Sequence, residues 1–383
     1  MERIYLDNAA TSLPKPPEVI EAVVKAMTTF GNVGRGTHDE ALAAARLIYE
    51  TRAQVAQLFH GPGPEQVAFT ANSTEALNIA IFGLLGAGDH IISTDLEHNS
   101  VLRPLYHLME KGATVDFLPA DRKGQINLQD LEKLLKPNTK AVVCTHASNV
   151  TGDVVDIKRV GAFCAAHNLL FILDASQTAG VFPIDMVADH LAVVCFTGHK
   201  SMLGPQGTGG LCFRKDLSIR PWKRGGTGVQ SFLPTQPLAY PTRLEAGTLN
   251  SHGLAGLHAA LQLRLQAGVD NYRQQETVLA RYFYEQIVQI PQIKLYGDFS
   301  TTFRAPLVTL NLGDTDAAWV SDELSQRFGI ATRPGAHCAP RLHRALGTVE
   351  QGAVRFSWSI NNTRAETQAA ITAVQTLAKE LAL

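Results

Sequence analysis

The chain has 383 residues, 45% of them apolar, with 34 Lys plus Arg set against 35 Asp plus Glu. That length holds one or two ordinary domains around a large core, and the composition excludes a disordered, collagen-like or small disulfide-stapled chain. A formal charge of −1 gives no support for a nucleic-acid or polybasic membrane surface, so neither partner is expected.

No apolar run reaches the roughly 18 residues of a membrane span. The opening MERIYLDNAAT places Glu2, Arg3 and Asp7 where a secretion signal would be continuously apolar. A soluble cytoplasmic protein is the expectation.

In chain order, Pro17 to Met27 reads as a helix opened by proline, and Glu40 to Phe59 as a second helix with an apolar stripe. Gln66–Thr70 is a short strand that stops at Asn72, Ser73 and Thr74 before the helix EALNIAIFGLL. Further strands are expected at His90–Asp95, Thr114–Ala120, Ala141–His146, Leu169–Ala175, Leu191–Thr197 and Gly209–Phe213. Several are nearly continuous apolar runs, as in sheet strands covered on both faces. The segments VLRPLYHLME, LQDLEKLL and VGAFCAAHN fill the gaps with helix. The fold class is therefore α/β, with a mostly parallel, helix-covered sheet. Residues 221–250 are turn-rich. After them come two long helices, the strand LVTLNL, the helix DAAWVSDELSQRFG, the strand AVRFSWS and a final helix. This α+β tail is long enough for a smaller second domain, with a boundary near 250.

Cys144, Cys164, Cys195 and Cys212 lie in apolar surroundings and read as core residues. None of the five cysteines forms a close pair, so no metal site or disulfide framework is expected. Cys338 differs, because RPGAHCAPR reads as a loop.

Three elements point to chemistry. Lys200 follows a buried strand and precedes a glycine-rich turn, in FTGHKSMLGPQGTGG. It is either a surface lysine or one that forms a Schiff base with an aldehyde cofactor. Asp174 ends LLFILDA, where it either caps the next segment or holds a pyridinium nitrogen. Asn72, Ser73 and Thr74 open a helix, as a plain N-cap or as a phosphate cup. Phosphate cup, strand-end aspartate and strand-end lysine together are the three anchors of pyridoxal 5'-phosphate.

The segments YLDNAAT, ANSTEALN, LEHNS, ASNVTG, LDASQTAG, FTGHK, EAGTLN, RPGAHCAP and VRFSWSINNT, in this order, resemble the cysteine desulfurases and selenocysteine lyases. These belong to class V of the fold-type I pyridoxal-phosphate enzymes. The resemblance implies an arm over 1–16, associated with the small domain or the active site, a large cofactor domain over 17–250, and a small domain over 251–383 carrying the Cys338 loop and Arg355. It implies Lys200 as the Schiff-base lysine, with His199 beside it positioning lysine or phosphate. Asp174 would pair with the ring nitrogen, Gln177 with the ring oxygen, and His98 would stack on the ring. Ser73, Thr74 and Thr197 would bind the phosphate, and Thr248 would reach the phosphate of a neighbouring subunit in a homodimer. Asn149 and Arg355 would clamp the substrate carboxylate, with Arg333 as a second cation.

Cys338 would accept sulfur from L-cysteine as a persulfide and pass it to an acceptor protein or thiol reductant. L-selenocysteine cleavage and a C–S lyase reaction without a persulfide stand as alternatives. Bland readings also exist: His98 as a helix-start residue, Asn149 as a turn residue, Arg355 as an ordinary strand arginine, Arg333 as half of an ion pair. His337 either lowers the Cys338 pKa or fills the loop. Arg333, His337 and Arg341 are positive or potentially positive neighbours that favour a thiolate. The loop is expected to move, with freedom at Gly335 and limits at Pro334 and Pro340. The compact loop resembles the second group of desulfurases. Ala336 stands where that group often has a histidine, and Gly34 where related chains often place a histidine before the arginine.

Overall fold

The computed structural model describes residues 3–33 and 36–381, so Gly34 lies outside the described residues. A seven-stranded sheet organises most of the first 215 residues. Its strands are β2 (Val67–Thr70), β3 (His90–Thr94), β4 (Thr114–Leu118), β5 (Thr139–Thr145), β6 (Leu170–Asp174), β7 (Val193–Thr197) and β8 (Gly209–Phe213). They lie in the order β2-β8-β7-β6-β5-β3-β4. The run from β4 to β7 is parallel, and β8 is antiparallel to both its neighbours. Strands β2, β3, β7 and β8 are buried at every position. That is why their sequences are apolar runs rather than alternations.

Helices cover the sheet: α1 (Pro17–Thr29), α2 (Asp39–Leu58), α3 (Ser73–Leu84), α4 (Asn99–Glu110), the single-turn α5 (Leu131–Leu134) and α6 (Ile157–Ala166). One apolar cluster lies on the face with Phe59, Phe171 and Phe196, another on the face with Leu77, Ile91 and Phe213. Helix α7 (Ser251–Ala267) packs on α1 and α2, and its Leu254, Leu257 and Leu261 join the first of these clusters.

Beyond α7, α8 (Val269–Ile287), β9 (Ile293–Tyr296), β10 (Leu307–Leu312), α9 (Ala317–Phe328), β11 (Ile330–Ala331), α10 (Pro340–Leu346), β12 (Val354–Ser357) and α11 (Arg364–Glu380) follow. Strands β9, β10 and β12 form an antiparallel sheet with its own core around Phe283, Phe356 and Trp358. The N-terminal strand β1 (Ile4–Tyr5) pairs in parallel with β11. Among the described residues, no helix is long and apolar enough to cross a membrane.

Four elements were not legible in the sequence. Strands β1 and β11 are two residues each, and β9 is only partly buried. Helix α10 begins at Pro340, which reads in sequence as a limit on the loop but serves here as a helix-opening proline.

Candidate active site

The carboxyl ends of parallel strands, where open α/β sheets place their ligands, bound a cavity of about 290 Å³. Thr145 ends β5, Asp174 ends β6 and Thr197 ends β7, with Lys200 three residues on. The N-termini of α3 and α4 close the opposite wall. Of the residues expected from the sequence, Ser73, Thr74, His98, Asn149, Asp174, Gln177, Thr197, His199 and Lys200 all line this one space. Gly209 lets β8 approach the start of α3. A Cβ there would lie 2.8 Å from the Asn72 backbone and from the Phe196 carbonyl oxygen.

At the α3 terminus, the Asn72 side chain accepts from the Glu75 amide at 3.0 Å. Asn72 is thus an N-cap, and the first turn is left with amides that have no intrahelical partner. His98 also has two roles. Its Nδ1 accepts from the Ser100 amide at 3.1 Å, capping α4, while its ring lines the cavity. The Ser100 hydroxyl bridges His98 Nδ1 at 2.8 Å and Thr74 Oγ1 at 2.7 Å. Burial holds His98 down at about 4, helped by the positive charges of Lys200, Arg333 and Arg355. The ring is therefore neutral, with its proton on Nε2.

Asp174 is buried, and burial raises its pKa. The Ser176 amide donates to it at 2.9 Å, the Ser176 hydroxyl also bonds it, and Lys200 adds a positive field. Ser176 is bonded in turn to Ser73 Oγ at 2.8 Å, which couples the strand-end carboxylate to the helix terminus. Burial lowers Lys200 to about 8; Asp174 opposes that shift and the two arginines reinforce it. Thr197 Oγ1 and His199 Nδ1 are buried polar atoms without a partner among the described residues. Both residues line the cavity, so it offers unmet hydrogen-bonding capacity to a polar ligand.

Beside this cavity lies a second group. Arg355, on β12, is 1% exposed. Its Nη1 donates to the Asn149 carbonyl at 2.8 Å and its Nη2 to Asp7 Oδ1 at 3.1 Å, while Nε is buried and without a partner among the described residues. Burial lowers Arg355 to about 10, and Asp7 counters that effect. Arg333 pairs backbone to backbone with Arg355, so two guanidinium groups share this end of the site.

The Asn149 side chain donates to the His337 carbonyl at 2.8 Å, and the Asn99 amide to the Cys338 carbonyl at 2.7 Å. The Gly335 amide bonds the Ala353 carbonyl at 3.0 Å, so the loop backbone is tied at several points. His337 and Cys338 both have positive φ, +49° and +57°. This turn buries the imidazole and exposes the thiol.

His337 faces inward. Its Nε2 donates to the Arg333 carbonyl at 3.0 Å and its Nδ1 meets His343 Nε2 at 3.3 Å. Burial pushes its pKa well down, so it fills the loop and carries no charge toward Cys338. Arg341 is paired with Asp95 at 2.6 Å and lies over the Phe117 ring. The other four cysteines are buried. Burial drives Cys164 and Cys212 up to about 12 and raises Cys144 and Cys195 well above the ordinary thiol value. Thr248 stands apart from the cavity, exposed at the mouth of a surface pocket with Glu245 and Gly247.

Sequence reasoning gave no role to Asp7, Glu97, Ser100 or Ser176. Asp7 and Glu97 sit inside two of the motifs that carried the resemblance, YLDNAAT and LEHNS, and Ser176 inside LDASQTAG. That was the available signal.

The sequence profile of the aminotransferase class-V family matches residues 4–369. A probable cysteine desulfurase of Methanothermobacter thermautotrophicus is 31% identical, over 96% of this chain and 92% of that protein. A cysteine desulfurase of Yersinia pestis is 32% identical over 99% and 94%. Among solved structures, the apo cysteine desulfurase of Thermococcus onnurineus superimposes with a TM-score of 0.93 at 30% identity, covering 99% of this chain and 95% of that one. A cysteine desulfurase of Escherichia coli gives 0.88 at 29%, with the same coverage.

Proposed function

This chain belongs to the aminotransferase class-V family, among its cysteine desulfurases, and from that premise we propose that it converts L-cysteine to L-alanine while Cys338 takes the sulfur as a persulfide. The observation that carries the reading is the pairing of two environments. A half-buried lysine, a buried aspartate and a neutral histidine share one cavity. Next to it, the exposed cysteine sits on a loop bonded to Asn149 and to the start of α4.

The cavity fits pyridoxal 5'-phosphate. Ser73, Thr74, Thr197 and His199 would hold the phosphate, Asp174 the ring nitrogen and Gln177 the ring oxygen, with His98 against the ring face. When bound, the cofactor supplies an electron sink for bonds broken at the substrate's α- and β-carbons. Asp174 would keep a ring nitrogen protonated, since Ser176 and the Lys200 field support its charge. Lys200, lowered to about 8, has an appreciable neutral fraction near neutral pH; its amine would hold the cofactor and, once freed, would be the base that takes the α-proton. Arg355 and Arg333 bind the substrate carboxylate, because a guanidinium matches it in a bidentate way. Asn149 holds both Arg355 and the cysteine loop. The Cys338 thiolate forms an S–S bond with the substrate sulfur as the Cβ–S bond breaks. That electron pair stays on the carbon skeleton, which is protonated and leaves as alanine.

The exposed thiol can then hand sulfur to a protein acceptor or a small thiol. A thiol of this kind suits the reducing cytoplasm. A homodimer is part of the reading. Thr248 is exposed away from its own cavity, and the surrounding segment presents Trp222, Val229, Phe232 and Leu238 to solvent, an apolar surface of the type buried between subunits.

The test measures alanine from L-cysteine and from L-selenocysteine, with and without dithiothreitol, in wild type and Cys338→Ser. The variant is expected to lose about a hundredfold or more of its rate with L-cysteine and to keep activity with L-selenocysteine, whose selenium leaves more readily. Alanine formation from L-cysteine at the wild-type rate by Cys338→Ser would replace this reading with a lyase that needs no persulfide.

A further inference from the structure

Arg355 carries the most demanding charge in the site. It is 1% exposed, its Nε has no partner, and Arg333 stands on the paired backbone segment. A buried guanidinium without a counter-ion is strongly unfavourable. Among the described residues, its one anionic hydrogen-bond partner is Asp7, at 3.1 Å.

The placement of Asp7 is built into the chain. Strand β1 pairs with β11, and the Ser357 amide bonds the Leu6 carbonyl at 2.7 Å. Alternation along this extended segment sends Leu6 into the small-sheet core and Asp7 to the opposite side, toward Arg355. The next residues cross to the large sheet. The Ala9 carbonyl accepts from Gln177 Nε2, and the Ser12 amide donates to the His199 carbonyl at 3.0 Å. The segment is therefore fixed at both ends, with Asp7 between.

We propose that Asp7 is a positioning residue for substrate recognition: it fixes the Arg355 guanidinium by one edge and neutralises it in the resting site, so that the remaining donors are held ready for the substrate α-carboxylate. This rests on the reading of Arg355 as the carboxylate clamp. In this reading Asp7 acts through Arg355. The alternative arrangement, in which Asp7 competes with substrate for the guanidinium, predicts the opposite sign.

The test uses the holoenzyme with Asp7→Asn, which keeps the shape and removes the charge, and Asp7→Glu as the conservative variant. KM for L-cysteine is expected to rise about tenfold in Asp7→Asn, with kcat within about threefold and partial recovery in Asp7→Glu. Affinity for cysteamine, which has amine and thiol but no α-carboxylate, is expected to stay unchanged. An unchanged or lower KM for L-cysteine overturns the proposal, and so does equal weakening of cysteamine, which marks a general structural defect. Arg355→Lys separates the two layers. If it raises KM for L-cysteine while Asp7→Asn does not, only the role of Asp7 fails. If it leaves KM unchanged, the clamp itself fails and the role of Asp7 with it.

Discussion

Glu97 gives a quantitative test of the electrostatics behind the cavity. It is fully buried and directly precedes His98. Its Oε1 accepts from Thr94 Oγ1 at 2.6 Å and from the Thr145 amide at 3.0 Å, joining the carboxyl ends of β3 and β5. Burial raises it to about 8 from an ordinary 4.5, against those two hydrogen bonds and with Asp174 adding to the rise. The unfolded chain releases this proton near 4.5 and the folded chain holds it to about 8. Between those values the folded state binds more protons, so stability is complete at low pH and falls as pH rises through 8.

At about 1.36 kcal/mol per pH unit, the part lost between pH 5 and pH 8.5 is about 4 kcal/mol. Glu97→Gln keeps an oxygen for Thr94 and Thr145 and removes the titration. Its urea midpoint, measured on the apo protein, is expected to lie close to wild type at pH 5 and to exceed it by about 1 M at pH 8.5. Parallel midpoints across that range would refute the idea that Glu97 is protonated in the native state.

Two further outcomes follow from buried and exposed groups elsewhere. Arg52 makes a two-pronged pair with Glu245 at 2.7 and 2.8 Å, and Glu245 also accepts from the Phe69 amide. Arg52→Ala leaves a buried carboxylate unpaired and is expected to cost about 3–5 kcal/mol in thermal or urea unfolding. It should also weaken cofactor retention, because this pair anchors the segment leading to Thr248; wild-type stability in the variant would contradict it. Phe232, fully exposed in the single chain, lies in the segment that the proposed homodimer would bury, so Phe232→Glu is expected to weaken dimerisation about tenfold or more in sedimentation, and an unchanged dimer would remove the segment from the proposed interface.

What was legible in the sequence follows the strength of the local signal. Strands β5, β6 and β7 are apolar runs bounded by turns, and their last residues were readable as a site because the ends of parallel strands face a common crevice. Asp174, Thr197 and Lys200 therefore appear together in sequence reasoning and in the cavity. The position of His337 was not legible. Its burial depends on the Arg333 carbonyl and His343, and nothing in the spacing of residues 333, 337 and 343 announces that arrangement. Ser176 and Ser100 were passed over for a related reason. Each acts by joining side chains from two segments, and that adjacency exists only after α3, α4 and β6 have packed.

The Cys338 loop shows how such adjacency produces chemistry. Two successive non-glycine residues in the left-handed region are unfavourable by about 1–2 kcal/mol each. The loop holds them because its carbonyls are bound by Asn99 and Asn149 and its imidazole is locked against His343. Closure is tight, since a Cβ on Gly352 would lie 2.9 Å from the Gly335 Cα. The turn so held keeps the neutral ring of His337 inside as packing and the sulfur of Cys338 outside, where a substrate and then an acceptor can reach it.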